Sequence, residues 1–337
     1  DSTTGQIVNK KYYGPYLLKS FQKEFYGERF DNICAGIQRQ FEHVVIQWVR
    51  YWAKRTGIRR AVFGGGSFMN VKANMLISEL DEFDSVYFCP SSSDESTALG
   101  AAYKVALEKG ERSVEPLICI YKGPAFSSDY VETVLQRYQG RIEWERAPDI
   151  EKKTAELLAA GKIVARFRGP AEWGARALGG RSILCRADDM KIIHRLNKAI
   201  KMRDFWMPFA ASILEEDACR YIRNPKNIPG PFMMLTYRTT EVARNEIIAG
   251  LHPFDHTCRP QLVSKETNSG YHKLLTYFKE LTGYSGLLNT SFNLHGFPVV
   301  GTPEIAVQTL LSSRLDYLAL EDFLVKPQPG VQSPLDA

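Results

Sequence analysis

The sequence lacks the features that mark several specialised classes of protein. Its six cysteines are scattered over 337 residues, with no CxxC pair and no metal-ligand spacing, which argues against a disulfide framework and a zinc domain. No apolar run is long enough to span a membrane, and no signal-peptide pattern is visible at the start. We therefore expect a cytoplasmic protein without a membrane partner, whose thiols are reduced and mostly buried.

A strong charge of one sign is also missing. The formal net charge is +5, from 43 basic and 38 acidic residues, and there is no block of Lys and Arg or repeat of aromatic and basic residues. This balance predicts no nucleic-acid partner but suits anionic small ligands. The chain opens at Asp1 without a Met, and we interpret it as a fragment of a longer or processed protein.

Strand-like and helix-like patterns alternate along the chain, which predicts an α/β fold. Apolar residues at helical spacing, among them Trp48 and Trp52, predict a long helix with Asp31 as N-cap, Gly57 as C-cap and the two tryptophans in the core. The remaining patterns predict strands at 60–63, 86–89, 117–121, 163–167 and near 316–326, and helices at 71–80, 97–107, 127–138, 150–160 and 303–311. The segment 222–260 is expected to form loops. The polar stretch 108–116 is expected to separate two domains, residues 1–114 and 115–337.

A glycine-rich loop, Gly64-Gly65-Gly66-Ser67, follows the first predicted strand and precedes a helix. Glycines let backbone approach a ligand, and a helix N-terminus favours anions. The loop is neither a P-loop nor a complete GxGxxG fingerprint, and a tight β–α turn without a ligand is equally compatible. The strand, loop and helix also resemble the adenosine-binding half of actin-like ATPase domains.

Asp94 stands just before the helix predicted at 97–107. An Asp in that position is typical of an N-cap. It is also a hard oxygen ligand for a divalent metal beside nucleotide phosphates. The two interpretations are compatible, since one carboxylate fits both geometries.

Arginines are concentrated between residues 166 and 203. Guanidinium groups bind phosphates in a bidentate manner, and a cluster of them repels itself unless anions are present. A solvated basic face paired with nearby aspartates is the alternative. It fits Arg176 and Arg181 less well, because both lie among small residues that suggest close packing.

A second polar string, Asn289-Thr290-Ser291-Phe292-Asn293, offers several donors and acceptors within five residues. As an isolated string it is typical of a turn, and we expect a turn-rich segment from Asn289 to Pro303.

Together these motifs resemble O-carbamoyltransferases of the NodU/CmcH type. The GGG…N loop and the Asp before an ALGAA helix are similar to the second lobe of their actin-like (ASKHA) nucleotide- and metal-binding domain. The runs EWGARALGGRSIL, LNKAIKMRDFWMPFAASILEED, DHTCRPQ and NTSFNLHGFPVVGTPE are similar to their YrdC-like C-terminal region. The resemblance implies a partial actin-like lobe, with the first lobe absent, followed by a YrdC-like α/β domain with a mixed twisted sheet.

The resemblance implies an ATP-dependent enzyme that makes carbamoyladenylate from carbamoyl phosphate and ATP. The carbamoyl group then moves to a hydroxyl of a small-molecule or sugar acceptor. It implies catalytic roles for Arg176, Arg181, Lys201 and Arg203; nucleotide binding by Gly64, Gly65, Gly66, Phe68 and Asn70; and carbamoyl or adenylate binding by Glu172, Asn289, Ser291, Asn293 and Arg259. It also implies a divalent metal, Mg²⁺ or Fe²⁺, at Asp94, in a site that this chain leaves incomplete. A homodimer is compatible with these features.

Two other functions stay open. The glycine-rich loop and Asp94 also suit a small-molecule kinase of the actin-like superfamily, which would release ADP rather than AMP. The absence of the first lobe also suits a non-catalytic nucleotide-binding fragment, which carbamoyl phosphate would not stimulate to turn over ATP.

Overall fold

The structure is a computed structural model that describes residues 4–8, 15–112, 117–204 and 206–331. Its helices are α1 (Pro15–Glu24), α2 (Phe30–Thr56), α3 (Val71–Ser78), α4 (Ser96–Glu108), α5 (Ser128–Gln136), α6 (Ile150–Ala159), α7 (Lys191–Leu196), α8 (Ala218–Tyr221), α9 (Glu241–Glu246), α10 (Ser269–Thr282) and α11 (Pro303–Leu311). Its strands are β1 (Arg60–Phe63), β2 (Ser85–Phe88), β3 (Ile142–Arg146), β4 (Val164–Phe167), β5 (Arg181–Arg186), β6 (Ala210–Leu214), β7 (Ile222–Arg223), β8 (Arg238–Thr239), β9 (Gln261–Val263), β10 (Gly286–Ser291), β11 (Tyr317–Leu320) and β12 (Phe323–Pro327).

The long helix α2 confirms the predicted helix and its C-cap. Gly57 adopts a left-handed conformation with φ of 68°, and its N–H donates to the carbonyl of Ala53. The predicted N-cap is wrong: Arg29 occupies that position, and Asp31 lies in the first turn with its carboxylate bound to the Arg29 guanidinium. The tryptophans were also expected in the core, but Trp48 and Trp52 are 38% and 39% exposed.

The first part of the chain has a small parallel sheet of β1 and β2. Helix α3 joins this part to the segment 226–258. The Asn74 amide donates to the carbonyl of Met234 at 2.7 Å, and Lys72 forms an ion pair with Asp255. The predicted domain boundary between residues 114 and 115 lies outside the described residues and stays a prediction.

The second part of the chain is built on an eight-stranded sheet in the order β3-β12-β11-β4-β5-β10-β6-β9. The sheet is mixed, since β4 pairs parallel with β11 and antiparallel with β5. Helices α6 and α10 pack against each other on one face, and α11 packs on the opposite face with the larger core. This architecture confirms the predicted α/β class with a mixed sheet.

Several element predictions are wrong in this part. Residues 117–121 form no strand apart from a single bridge between Tyr121 and Glu172. The strand expected near 316–326 is the hairpin β11–β12, and its turn at Glu321 has a φ of 47° without any glycine to signal it. The segment 222–260, expected as loops, contains β7, β8 and α9. The turn expected from Asn289 begins inside β10, where Asn289 and Thr290 are buried in the centre of the sheet.

Two general expectations concern the burial of the cysteines and the presence of membrane-spanning helices. The six cysteines are free thiols, but only Cys185 and Cys258 are buried, so the expectation of mostly buried thiols is wrong. Among the described helices, none combines the length and the apolar character that crossing a membrane requires.

Candidate functional site

Four basic side chains form a cluster, here called the cationic cluster: Arg176, Lys201, Arg203 and Arg259. They are brought together from the loop between β4 and β5, the turn after α7 and the segment before β9. Burial lowers the pKa of Arg176, and the charge of Arg203 lowers it further. Burial, with the charges of Arg176 and Arg203, lowers the pKa of Arg259 to about 9. These cations are therefore close enough to repel one another.

The cationic cluster is not neutralised by any carboxylate of the described residues. Within the part of the chain that the structure describes, none of its four side chains forms an ion pair with Asp or Glu. The guanidinium carbon of Arg203 instead lies 4.8 Å from the centroid of the Phe209 ring, and the Nε of Arg176 is buried without a hydrogen-bond partner. Buried charges in proteins are usually paired, so this arrangement favours an anionic ligand.

Lys201 connects the cationic cluster to the end of β10. Its side chain is 2% exposed, and its Nζ donates to Oδ1 of Asn293 at 2.7 Å and to Oγ of Ser291 at 3.2 Å. The backbone carbonyls of both residues accept from it as well. Burial, and then the charge of Arg203, lowers the pKa of Lys201 to about 7. The predicted residues Lys201, Arg203, Ser291 and Asn293 therefore lie together.

The backbone that presents Lys201 and Arg203 is irregular. Residues 197–201 form a π-helical turn, and Met202 follows with a left-handed φ of 43°. The N–H of Met202 donates to the carbonyl of Asn197 at 3.0 Å. Single π-helical turns and left-handed residues without glycine are frequent at functional sites.

Three other predicted site residues, Glu172, Asn289 and Arg181, lie in or next to the loop that precedes β5. Oε1 of Glu172 accepts backbone hydrogen bonds within this loop. Nδ2 of Asn289 donates to the carbonyl of Ala177 at 3.1 Å. Arg181 is buried with its guanidinium carbon 3.6 Å from the centroid of the Phe167 ring. The charged groups that act on its pKa are Glu172, Glu321 and Arg166, so the structure does not bring Arg181 into the cationic cluster.

The predicted nucleotide loop lies in the first part of the chain. Gly65 has a φ of 99°, and a Cβ there would meet only open space, so the loop is accessible. Phe68 packs 5.0 Å from the Phe63 ring. Asn70 caps α3 through Ala73 and exchanges two hydrogen bonds with Gln38. Phe68 and Asn70 thus have structural contacts, and nucleotide binding by this loop stays a prediction.

Asp94, the predicted metal ligand, is exposed and makes no hydrogen bond through its carboxylate with the described residues. Its N-cap role is wrong, since Glu95 occupies the N-cap position of α4 and makes no side-chain capping bond. No group of three or more His, Cys, Asp or Glu residues suitable for a metal occurs in the described ranges. The described residues around Asp94 therefore do not fit a metal centre.

Two cavities lie away from the cationic cluster. One, of about 610 Å³, is lined by the N-terminal ends of α6 and α10, with Arg168 and Asp322. The other, of about 410 Å³, is an apolar groove along β1 that Trp48, Trp52 and Phe68 line. The cationic cluster is therefore distinguished by its uncompensated charge and not by the volume of a cavity.

Sequence reasoning missed the buried polar residues that support the site. Gln261 on β9 and Ser212 on β6 hydrogen-bond each other at 2.9 Å and both contact the Asn289 amide. Tyr121 donates to the carbonyl of Leu178 at 2.7 Å. Each is a single polar residue in an apolar run or a loop, so no spacing marks it in the sequence.

Comparison with known proteins decides the family. A model described as the carbamoyltransferase C-terminus matches residues 155–327, and one described as the carbamoyltransferase N-terminus matches residues 4–103. The chain belongs to the carbamoyltransferase family. The family models thus confirm the resemblance drawn from the motifs.

Three similar proteins support the same assignment. Nodulation protein NolO of Bradyrhizobium diazoefficiens is 33% identical over 97% of this chain and 61% of the relative. Nodulation protein NolNO of Sinorhizobium fredii is 35% identical over 96% of this chain and 48% of the relative. Uncharacterized protein MJ1058 of Methanocaldococcus jannaschii is 35% identical over 95% of this chain and 52% of the relative. The chain therefore spans about half the length of the curated relatives it matches.

Proposed function

We propose that the cationic cluster makes carbamoyladenylate from ATP and carbamoyl phosphate. Water converts carbamoyl phosphate into carbamate and phosphate. A carbamate oxygen then forms a bond to the α-phosphorus of ATP, the bond from that phosphorus to the bridging oxygen breaks, and pyrophosphate leaves. A hydroxyl of a small-molecule or sugar acceptor finally attacks the carbamoyl carbon, gives up its proton and releases AMP.

The observation that carries this proposal is the uncompensated positive charge of the cationic cluster beside Asn293. Negative charge develops on the phosphates as pyrophosphate leaves. Preorganised cations with little access to water stabilise such charge strongly. Arg176, Arg203 and Arg259 suit the phosphate oxygens, because guanidinium groups bind them in a bidentate manner.

Ser291 and Asn293 have a second part in the proposal. Their oxygens hold the Lys201 ammonium group through hydrogen bonds. This fixes the position of Lys201 before the substrate arrives, so little reorganisation accompanies the reaction. The Ser291 hydroxyl also donates to Oδ1 of Asn293 at 2.7 Å, and Nδ2 of Asn293 donates to the carbonyl of Phe297, so the two side chains are themselves fixed in place.

The proposal is tested by carbamoyl-phosphate-dependent exchange of pyrophosphate into ATP. We expect the Arg176→Ala variant to lose about 100-fold in exchange rate, the effect of removing one charge-stabilising donor. Arg195→Ala is the matched control and should exchange normally, since this side chain is 52% exposed and contacts Asp316 and the carbonyl of Gly161, outside the cationic cluster. Full exchange by Arg176→Ala, or ADP in place of AMP as the product, would refute the proposal. ADP would favour a kinase instead.

A further inference from the structure

Side chains and one backbone hydrogen bond, from the N–H of Arg168 to the carbonyl of Gly180 at 3.0 Å, hold the end of the loop between β4 and β5. Residues 178–180 are buried, so each of their N–H and C=O groups needs a partner. The carbonyls of Leu178 and Gly179 accept from Gln261 and Arg166, respectively. The Gly180 carbonyl accepts from the Arg181 guanidinium at 2.8 Å. An irregular segment is thereby fixed in one conformation.

One carboxylate oxygen organises the N–H groups of the same loop. Oε1 of Glu172 accepts from Leu178 at 2.7 Å, from Gly180 at 3.2 Å and from Arg181 at 3.1 Å. The carboxylate lies so close to the chain that a Cβ on Gly180 would be 2.4 Å from Oε2. Oε2 itself is buried and has no hydrogen-bond partner among the described residues. Glu172 is therefore enclosed by its own loop.

The loop that closes on Glu172 carries Arg176. Arg176 lies near Arg203, whose charge adds to burial in lowering its pKa, and none of the described residues provides it with a carboxylate partner. Repulsion within the cationic cluster favours an open loop that moves Arg176 away from Arg203 and Arg259. The hydrogen bonds to Glu172 oppose that movement, because the bridged residues 172 and 178 lie on either side of Arg176.

We infer that Glu172 is a positioning residue: it closes the loop 172–181 and so holds Arg176 against the repulsion of Arg203 and Arg259. This role rests on the proposed function of the cationic cluster. It differs from the carbamoyl or adenylate contact that the family resemblance implies for Glu172. Oε1 already accepts from three backbone donors, and Oε2 is buried against Gly180.

The test compares Glu172→Gln with Glu172→Ala in the whole protein. The amide oxygen of Gln keeps the acceptor for the three N–H groups but removes the charge, whereas Ala removes the acceptor. Amide hydrogen exchange of residues 178, 180 and 181 reports loop closure. Calorimetry with pyrophosphate and the ATP–pyrophosphate exchange assay report the cationic cluster. Asp188→Ala is the control, since Asp188 is a partly buried carboxylate that binds Arg186 outside the loop.

We expect Glu172→Gln to retain amide protection, and to retain pyrophosphate affinity and exchange rate within about threefold, as ordinary tolerated substitutions do. Glu172→Ala should lose the protection and about 100-fold in kcat/KM, the effect of misplacing a catalytic group by about 1 Å. Equal losses in both variants would overturn the inference, because the charge itself would then matter. Retained protection in Glu172→Ala would overturn it as well. A wild-type protein without exchange activity would refute the proposed function, while hydrogen exchange and pyrophosphate affinity would still decide the role of Glu172.

Discussion

The low pKa of Lys201 makes anion binding depend on pH near neutrality. Burial and the charge of Arg203 lower this pKa from 10.5 to about 7. In the free protein, Lys201 therefore loses its proton as the pH rises above 7. A bound phosphate group favours the protonated form, so binding above that pH takes up a proton. The affinity for a polyphosphate should then decrease as the pH rises.

The expected size of the effect follows from Coulomb's law. A phosphate charge about 4 Å from the ammonium, at an effective dielectric constant of about 20, contributes about 4 kcal/mol. That energy raises the pKa of Lys201 in the complex by about three units. Between the two pKa values, one linked proton changes the affinity by about tenfold per pH unit. We expect a loss of about 100-fold in ATP affinity from about pH 7 to about pH 9.

The measurement is isothermal titration calorimetry with ATP, whose phosphates are essentially fully ionised above pH 7. Lys201→Arg keeps its charge and should give a nearly flat affinity profile below the pKa of Arg259, which is about 9, whereas Lys201→Met should bind ATP weakly and without a slope over the same range. A wild-type slope in Lys201→Arg would refute the assignment, because the titrating group would then be another residue.

The same group should affect stability in the opposite sense. The unfolded chain keeps the Lys201 proton up to about pH 10.5 but the folded chain releases it near pH 7. The unfolded state therefore binds more protons in this window, and the free energy of unfolding rises with pH there. Relative to Lys201→Met, the wild type should gain about 1.4 kcal/mol per pH unit in urea denaturation.

Two further predictions concern stability and are checked by urea denaturation. Gly179→Ala should destabilise the protein by about 3 kcal/mol, because the added Cβ would lie 2.3 Å from the Tyr271 ring. Gly161→Ala is the comparison: it has a φ of 78° and open space around it, and it should cost only about 1 kcal/mol. Equal losses in the two variants would contradict this prediction. Burial alone would raise the pKa of Asp255, but hydrogen bonds led by that from Lys72 lower it to about 2. Stability of about 2 kcal/mol should therefore be lost from about pH 4 to about pH 2 in the wild type and not in Asp255→Asn.

Elements could be predicted from the sequence where the spacing of apolar residues and the residues that begin or end a helix indicated the same bounds. Helix α11 has the predicted bounds of 303 and 311, with Pro303 at its start and Thr302 as N-cap. Helix α10 was missed although Tyr271, Leu274 and Phe278 have helical spacing and Gly283 ends it in a left-handed conformation. The physical signal for this helix is present in the sequence.

Other wrong predictions concern residues whose position in the fold no local pattern of the sequence indicates. The polar string at residues 289–293 has the composition of a turn, yet Asn289 lies in a central strand, where its Nδ2 donates to Ser212 on the neighbouring strand β6 and to Gln261 on β9. Those partners are 77 and 28 residues away. Burial of a polar residue depends on such distant groups, and local composition cannot supply them. The same limit applies to Glu172, whose role depends on a loop that closes around it.

Three arginines on or beside the sheet differ from the cationic cluster, because carboxylates pair with them. Arg166 and Arg168 both bind Glu151, and Arg186 binds Asp188. Paired cations of that kind stabilise the fold and leave no charge for a ligand. The cationic cluster has no such partners among the described residues, so its repulsion must be opposed by the surrounding structure until an anion binds. The closed loop around Glu172 and the hydrogen bonds to Lys201 supply that opposition, and for this reason we expect an anion such as pyrophosphate to stabilise the folded protein.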